Sequence, residues 1–311
     1  MKIAILDAAT LGKDADLKIF EKFGSLRIFE TTSKDELIEN LKDCEIVIIN
    51  KVKIDKEAMT LTPSLKLICI TATGTDNVDL IAAKKLGIEV KNVAGYSTAS
   101  VAQHTLALVL HFYSKVGYYG GFVKNKGWLN SKIFTHLNEP INEISGKEWG
   151  IVGFGKIGQE VAKIAKAFGA NVSYYSTSGK NSNSDFPFLS LKELLTKSQI
   201  VTIHAPLNAQ TRGLISKNEL AYMPQDALLV NVGRGGIVDE SALKDAILNE
   251  KIFVALDVLE KEPMSQDSAL MELLENSRVL ITPHVAWASV EARERLMGKV
   301  KENIENFLKD R

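Results

Sequence analysis

Short runs of consecutive apolar residues alternate with amphipathic stretches along the first half of the chain. Apolar runs occur at 2–6, 45–50, 65–71 and 88–93, and a charged, helix-like stretch at 33–43 lies between the first two. Continuous apolar strands separated by amphipathic helices are typical of a parallel sheet with helices on both faces. The pattern therefore predicts one complete α/β unit before residue 148.

The same alternation begins again near residue 148 and predicts a second α/β unit. A helix is expected at 156–169, and longer amphipathic helices are expected at 97–115 and 287–310. The predicted strands of this unit are 148–153, 170–176, 199–206, 226–233, 252–258 and 277–284. The fold class predicted from both halves is α/β, with two doubly wound parallel-sheet domains.

Composition and charge narrow the possible functions. The 311 residues are enough for two domains, and 38 basic residues balance 38 acidic residues, so no net field attracts nucleic acid or an anionic membrane. No signal peptide and no run of about 20 apolar residues is found, which predicts a cytoplasmic protein without a membrane partner. The two cysteines, Cys44 and Cys69, are expected to be buried reduced thiols, and no metal site is predicted.

A glycine-rich loop, "GFGKIG", follows the first predicted strand of the second unit and precedes its first helix. This context fits a pyrophosphate-binding loop. Gly153 permits the tight turn, Gly155 permits close approach of the backbone to the ligand, and Gly158 permits close packing of helix and strand. Lys156 and Ile157 open the helix, whose free N–H groups suit an anion. The loop predicts a dinucleotide cofactor.

The acidic residue expected about 20 positions after the glycine loop is missing. This residue would hydrogen-bond the ribose of NAD, and Ser176 occupies its place, followed by Thr177, Ser178 and Lys180. These hydroxyls and the lysine can accept a 2′-phosphate, while the alternative interpretation is a polar loop without a role in binding. NAD(H) and NADP(H) both remain open as cofactors.

Three residues further along the chain together indicate one type of reaction. Arg234 can clamp a carboxylate with two parallel hydrogen bonds, and His284, partnered by Glu262, can transfer a proton near neutral pH. The glycines on either side of Arg234 are expected to allow unusual backbone angles and close approach to a ligand. Glu260 is a neighbouring acid that spacing alone does not exclude as the partner of the histidine. With a hydride from the dinucleotide, these groups predict reversible reduction of a 2-oxo acid.

The order and local sequence of these motifs, "NVGRG", "DVLEKEP" and "ITPH", resemble the D-isomer-specific 2-hydroxyacid dehydrogenase family over essentially the whole chain. "KNVAGYSTASVAQHT" and "PHVAWASVEARERL" are most similar to its glycerate dehydrogenase (hydroxypyruvate reductase) members. The resemblance implies NAD(P)H-dependent reduction of hydroxypyruvate to D-glycerate or of glyoxylate to glycolate. D-lactate and phosphoglycerate dehydrogenases are alternatives, the latter disfavoured because many carry an extra regulatory domain for which this chain has no room. A further alternative is a non-enzymatic NAD(H)-sensing scaffold that resembles C-terminal binding protein.

The same resemblance assigns roles to individual residues. Arg234, Glu262 and His284 are the expected catalytic residues, and backbone N–H groups of Ala72, Thr73 and Gly74 are expected to form a small anion-binding nest for the substrate. Lys51 can add a charge there, although a solvated lysine at a strand end is an equally ordinary interpretation. The expected cofactor contacts besides the glycine loop are Ser176, His204, Ala205, Pro206, Thr211, Val232, Gly233 and Asp257, with Asp257 on the nicotinamide carboxamide.

The resemblance also predicts the division of the chain. Residues 1–98 with 285–311 are expected to form a discontinuous, flavodoxin-like substrate domain, and 99–284 a Rossmann domain, with the active site in the cleft between them. The stretch 112–140 holds seven of the 22 aromatic residues and is expected to be the arm of a homodimer. A loop folded over its own domain is the alternative. His104, His111 and His136 are interpreted as ordinary packing or surface residues.

Overall fold

The structure is a computed structural model that describes residues 1–309. Its backbone contacts divide the chain into two compact units. The first comprises Met1–Ser97 and the chain from Ala288 onwards, and the second comprises Thr98–Trp287. The junctions thus lie at 97/98 and 287/288, where the sequence predicts 98/99 and 284/285.

Five parallel strands form the sheet of the first unit: β1 (Lys2–Ile5), β2 (Ser25–Ile28), β3 (Ile46–Ile49), β4 (Leu67–Ile70) and β5 (Glu89–Lys91). Their spatial order is β2-β1-β3-β4-β5, the flavodoxin-like doubly wound order. The helices of this unit are α1 (Leu37–Leu41), α2 (Lys56–Leu61), α3 (Leu80–Lys85) and, from the end of the chain, α10 (Val290–Lys309). Short 3-10 helices span Ala8–Leu11 and Leu17–Phe23.

Six parallel strands form the sheet of the second unit: β6 (Glu148–Val152), β7 (Asn171–Tyr175), β8 (Ile200–Ile203), β9 (Ala227–Asn231), β10 (Ile252–Leu256) and β11 (Val279–Ile281). Their order is β11-β10-β9-β8-β6-β7. The helices are α4 (Thr98–Ser114), α5 (Val116–Lys124), α6 (Lys156–Ala167), α7 (Leu191–Lys197), α8 (Lys217–Tyr222) and α9 (Glu240–Leu248), with 3-10 helices at Trp128–Asn130, Gly235–Ile237 and Met271–Leu273. The strand order reverses between β6 and β8, where ligands bind in doubly wound sheets.

Both predicted parallel-sheet units are confirmed, and the apolar runs explain why. All residues of β3, β4, β8 and β9 are buried, because helices cover both faces of a parallel sheet. β2 was not predicted. It contains Arg27 and no residue that is fully buried, so its sequence carries little of the signal of an interior strand. The stretch predicted as a helix at 33–43 is helical only over Leu37–Leu41.

Two further predictions concern single features of the chain. Cys44 and Cys69 are free and buried, as expected. Burial raises the pKa of the Cys69 thiol well above its usual range, which keeps it protonated. Among the described residues, no helix is both long enough and apolar enough to cross a membrane.

Candidate active site

The glycine loop lies between β6 and α6, at the point where the order of the second sheet reverses. Gly153 has φ +93°, and a Cβ there would lie 2.6 Å from the backbone nitrogen of Ala205. A Cβ at Gly158 would overlap the carbonyl oxygen of Gly153, so the first turn of α6 packs directly on the loop. Both glycines are therefore required by close backbone approach.

Space remains in front of the loop, as a bound dinucleotide requires. A Cβ placed on Gly155 would meet nothing within 4 Å, and no side chain caps α6 at this residue. The first N–H groups of a helix have no partner inside the helix and carry partial positive charge. The open glycine and the uncapped helix start thus fit the pyrophosphate of a dinucleotide.

Polar atoms of two side chains near the loop are buried and lack a protein partner in the part of the chain that the structure describes. The Oγ atom of Ser176 and both ring nitrogens of His204 are buried without a hydrogen bond. Burial lowers the pKa of His204 to about 3, so this imidazole is neutral at physiological pH. Ser176 directly follows β7, whose last carbonyl, on Tyr175, accepts a hydrogen bond from the Gly153 N–H at 2.9 Å. Buried polar atoms are rarely left unpaired, which makes both residues suited to a polar ligand.

Other predicted cofactor residues lie on the segments that follow β8 and β9, and the first of these segments packs against Gly153 through Ala205. Ala205 and Val232 are buried, and a Cβ on Gly233 would lie 2.9 Å from the Ala205 carbonyl oxygen. Pro206 is exposed, and its carbonyl accepts the Thr211 hydroxyl hydrogen at 2.6 Å. The Thr211 hydroxyl also accepts a hydrogen bond from the Asn208 N–H, so it holds the turn after β8 in place.

Arg234 extends from the end of β9 with an unpaired charge. Its guanidinium donates to the carbonyl oxygen of Gly233 at 2.9 Å, and it forms no salt bridge within residues 1–309. Its own carbonyl oxygen accepts from the Asn231 side chain at 2.8 Å, which fixes the backbone. A guanidinium has five N–H donors, so most remain available for a carboxylate.

The glycines that flank Arg234 do not have the unusual backbone angles that the sequence predicts. Neither Gly233 nor Gly235 has a positive φ, so the prediction of unusual backbone angles is wrong. A Cβ on Gly235 would instead overlap the peptide between Leu259 and Glu260. These glycines allow neighbouring strand ends to pack against each other.

Glu262 and His284 are paired. The Nδ1 atom of His284 lies 2.7 Å from Oε2 of Glu262, and the side chains are 23% and 33% exposed. The other carboxylate oxygen, Oε1, accepts the Leu259 N–H at 3.0 Å. A carboxylate can only accept, so Nδ1 carries the proton of this bond and Nε2 is left to act on a substrate. Glu260, the alternative partner, contacts Arg212 at 3.9 Å instead.

Asp257 holds the loop that carries His284. Its buried carboxylate accepts hydrogen bonds from the Thr282 hydroxyl at 2.6 Å and from the N–H groups of Val285 and Ala286 at 2.9 Å. Its carbonyl oxygen accepts the His284 N–H at 2.9 Å. These bonds keep His284 at φ +53°, a left-handed conformation that costs free energy for a non-glycine residue. The predicted contact of Asp257 with the nicotinamide carboxamide stays a prediction.

His104 is a neighbour of this loop that the sequence did not identify. Its Nε2 atom lies 3.2 Å from the Thr282 hydroxyl and 3.6 Å from the Asp257 carboxylate. It was interpreted as an ordinary packing residue because it lies on a long apolar helix, α4, with no motif around it. Only the folded chain brings it to Asp257, which is 153 positions away in the sequence.

The substrate residues predicted in the first unit follow its strands β3 and β4. The Asp7 carboxylate accepts the N–H groups of Asn50, Lys51 and Val52, so the turn after β3 is fixed while the Lys51 side chain is exposed. The N–H groups of Ala72, Thr73 and Gly74 form no hydrogen bond to any of the described residues. They are therefore available as anion donors.

Comparisons with known proteins agree with this arrangement. Residues 106–286 match the NAD binding domain of the D-isomer specific 2-hydroxyacid dehydrogenase family. The chain is 36% identical to the hydroxypyruvate reductase of Blautia hydrogenotrophica, over 99% of its own length and 97% of that protein. It is 35% identical to the glycerate dehydrogenase of Methylorubrum extorquens, over 99% and 96%. The D-lactate dehydrogenase of Aquifex aeolicus, solved with NAD and lactic acid, matches with a TM-score of 0.84 at 27% identity, over 100% and 96%.

The chain belongs to the D-isomer specific 2-hydroxyacid dehydrogenase family. It is an oxidoreductase that uses a nicotinamide dinucleotide and acts on a small 2-oxo or 2-hydroxy acid. The family, the fold class and the enzymatic nature predicted from the sequence are confirmed.

Proposed function

We propose that the enzyme reduces hydroxypyruvate to D-glycerate, with glyoxylate as a second substrate. The full-length similarity to a hydroxypyruvate reductase and to a glycerate dehydrogenase supports this choice of acid. The observation that carries the chemistry is the contact of 2.7 Å between Glu262 and His284, with the loop of His284 fixed by Asp257. When bound, the reduced dinucleotide supplies the hydride.

The remaining roles are assigned to side chains and backbone groups of the protein. Arg234, with free guanidinium donors, binds the substrate carboxylate and orients the carbonyl carbon. His284 gives a proton from Nε2 to the developing alkoxide oxygen, and in the oxidative direction takes it from the hydroxyl group. Glu262 holds Nδ1 and stabilises the protonated imidazole. The free N–H groups of residues 72–74 are proposed as further donors to the carboxylate, with Lys51 adding positive charge.

We propose that the dinucleotide lies along the glycine loop, with the pyrophosphate at the start of α6 and His204, Ala205 and Val232 on its wall. Ser176 would contact the adenine ribose. No carboxylate lies between Ser176 and Asp185, and Lys180 is exposed in that stretch, so nothing there repels a 2′-phosphate. The enzyme is therefore expected to accept both NADH and NADPH.

The stretch 112–140 is proposed as the arm of a homodimer. Leu129, Phe134 and Leu137 are 78%, 88% and 72% exposed, which is unusual for large apolar side chains that face water. His136 stacks on Phe122 with a centroid distance of 3.7 Å, so the arm has internal packing of its own. Light scattering should give twice the chain mass of 34.2 kDa, and a monomer would contradict the proposal. The predicted cytoplasmic location stays a prediction.

The roles are tested by replacing His284 with alanine. We expect kcat for hydroxypyruvate to fall roughly a hundredfold or more, because the proton donor is lost. Binding of NADH, measured by fluorescence, should survive, because no contact of the glycine loop changes. A variant that kept its kcat would remove His284 from the reaction.

A further inference from the structure

Glu240 is the first residue of α9, yet its side chain does not cap its own helix. Asp239 does that, by accepting the N–H groups of Ser241 at 2.9 Å and Ala242 at 3.0 Å. The half-buried Glu240 carboxylate instead accepts the Glu260 N–H at 2.6 Å, 20 positions away along the chain. This bond ties the start of α9 to the loop that leads to Glu262.

The same loop is held by two further contacts. Gly235, next to Arg234, packs so tightly against the Leu259–Glu260 peptide that a Cβ would overlap it. In the preceding peptide, the Leu259 N–H donates to Oε1 of Glu262 at 3.0 Å. The backbone of residues 259 and 260 thus contacts the segment of Arg234, the start of α9 and Glu262, the partner of His284.

We infer that Glu240 is a positioning residue, whose hydrogen bond to the Glu260 N–H holds the 259–262 loop against Gly235 and thereby sets Glu262 for its contact with His284. This inference rests on the proposed roles of Glu262 and His284. Without this hydrogen bond, the loop still packs on Gly235, but the Glu260 N–H loses its acceptor.

The surroundings of Glu240 indicate what the position requires. Burial raises the pKa of the Glu240 carboxyl, and the negative charges of Glu260 and Glu262 raise it further, although the hydrogen bond from the Glu260 N–H opposes this. Arg212, 3.9 Å from the Glu260 carboxylate, is a partner of Glu260 rather than of Glu240. The surroundings therefore oppose the charge of Glu240 to some extent, whereas its hydrogen bond to the loop requires only an acceptor oxygen. Glutamine supplies one without the charge.

The test compares Glu240→Ala, Glu240→Gln and Asp239→Ala. Asp239→Ala removes the helix cap one residue away and leaves the bond to Glu260 intact, so it is the matched control for damage to α9. We expect Glu240→Ala to lower kcat for hydroxypyruvate about tenfold or more with little change in KM, since misplaced catalytic groups slow the chemical step. Glu240→Gln should restore kcat, and Asp239→Ala should lower the melting temperature without this loss of kcat.

A second measurement is independent of turnover. Hydrogen exchange, followed by mass spectrometry on the cofactor-free protein, should show faster exchange at 259–262 in Glu240→Ala than in the wild type or in Glu240→Gln. The inference is overturned if exchange at 259–262 in Glu240→Ala equals that of the wild type, or if Asp239→Ala lowers kcat as much as Glu240→Ala does. Failure of the proposed function would look different: the wild type itself would not reduce hydroxypyruvate, or His284→Ala would keep its kcat.

Discussion

Replacing Glu262 with glutamine removes the negative charge from the Glu262–His284 pair, to which we assign the proton transfer. Both oxygens of Glu262 are acceptors, Oε2 for His284 Nδ1 at 2.7 Å and Oε1 for the Leu259 N–H at 3.0 Å. Glutamine has one acceptor oxygen and one NH2 group, so it must give up one of these two bonds. It also loses the charge that stabilises the protonated imidazole.

The size of the effect follows from the kind of bond that is lost. A hydrogen bond to a charged group contributes about 1.5–3 kcal/mol. If all of this acts on the protonated His284, kcat for hydroxypyruvate falls roughly 10- to 150-fold, because each 1.36 kcal/mol is a factor of ten. Both side chains are partly exposed, at 23% and 33%, so solvent screening moves the expected value towards the lower end.

The assay is steady-state oxidation of NADH at 340 nm with saturating hydroxypyruvate, together with a fluorescence titration of NADH. Glu260→Gln is the control, because within residues 1–309 the Glu260 side chain makes only a long ion pair with Arg212 at the surface. We expect Glu262→Gln to lose activity with unchanged NADH affinity, and Glu260→Gln to behave as the wild type. If the two variants exchanged these results, Glu260 and not Glu262 would be the partner of the histidine.

Three other predictions concern neighbouring parts of the site. Arg234→Lys should lower kcat/KM by about 2–4 kcal/mol in transition-state binding, because lysine lacks the planar fork; a near-normal kcat/KM would exclude Arg234 from carboxylate binding. Ser176→Asp should weaken use of NADPH by about 1–3 kcal/mol through repulsion of the 2′-phosphate and leave NADH use intact; an unchanged NADPH/NADH ratio would show that Ser176 does not meet the ribose. Burial lowers the pKa of His204 from 6.5 to about 3. The unfolded state therefore binds more protons than the folded state, and the free energy of unfolding should fall as the pH drops below about 6.5. By pH 4 the loss should reach at most about 3 kcal/mol. His204→Leu should flatten this dependence in urea unfolding of the cofactor-free protein, and an equal slope would contradict the burial of a neutral imidazole.

The sequence predicted the parts of the fold that repeat a simple pattern. Strands such as Ile46–Ile49 and Leu67–Ile70 are buried on both faces, and their uninterrupted apolar runs show this directly. The edge strand Ser25–Ile28 is partly exposed and has Arg27 in its middle, so its pairing with β1 is decided by tertiary contacts.

The candidate site could be predicted only as far as local motifs reach. Glu262 and His284 lie in recognisable sequence motifs, and the structure contains their contact at 2.7 Å. The bonds that position them come from distant segments: Asp257 holds the His284 loop through the N–H groups of residues 285 and 286, and Glu240 holds the peptide of Glu260. No sequence motif connects Glu240 to Glu260, because the strand that lies between them sets their distance along the chain.

The most direct test of the proposed function is reduction of a panel of 2-oxo acids by the purified wild-type enzyme, with chiral analysis of the product. Hydroxypyruvate, glyoxylate, pyruvate and phosphohydroxypyruvate would each be assayed with NADH and with NADPH. We predict the highest kcat/KM for hydroxypyruvate and a product that is D-glycerate. A clear preference for pyruvate or phosphohydroxypyruvate would contradict the proposed substrate, and an L-glycerate product would contradict the assignment of the enzyme as a whole.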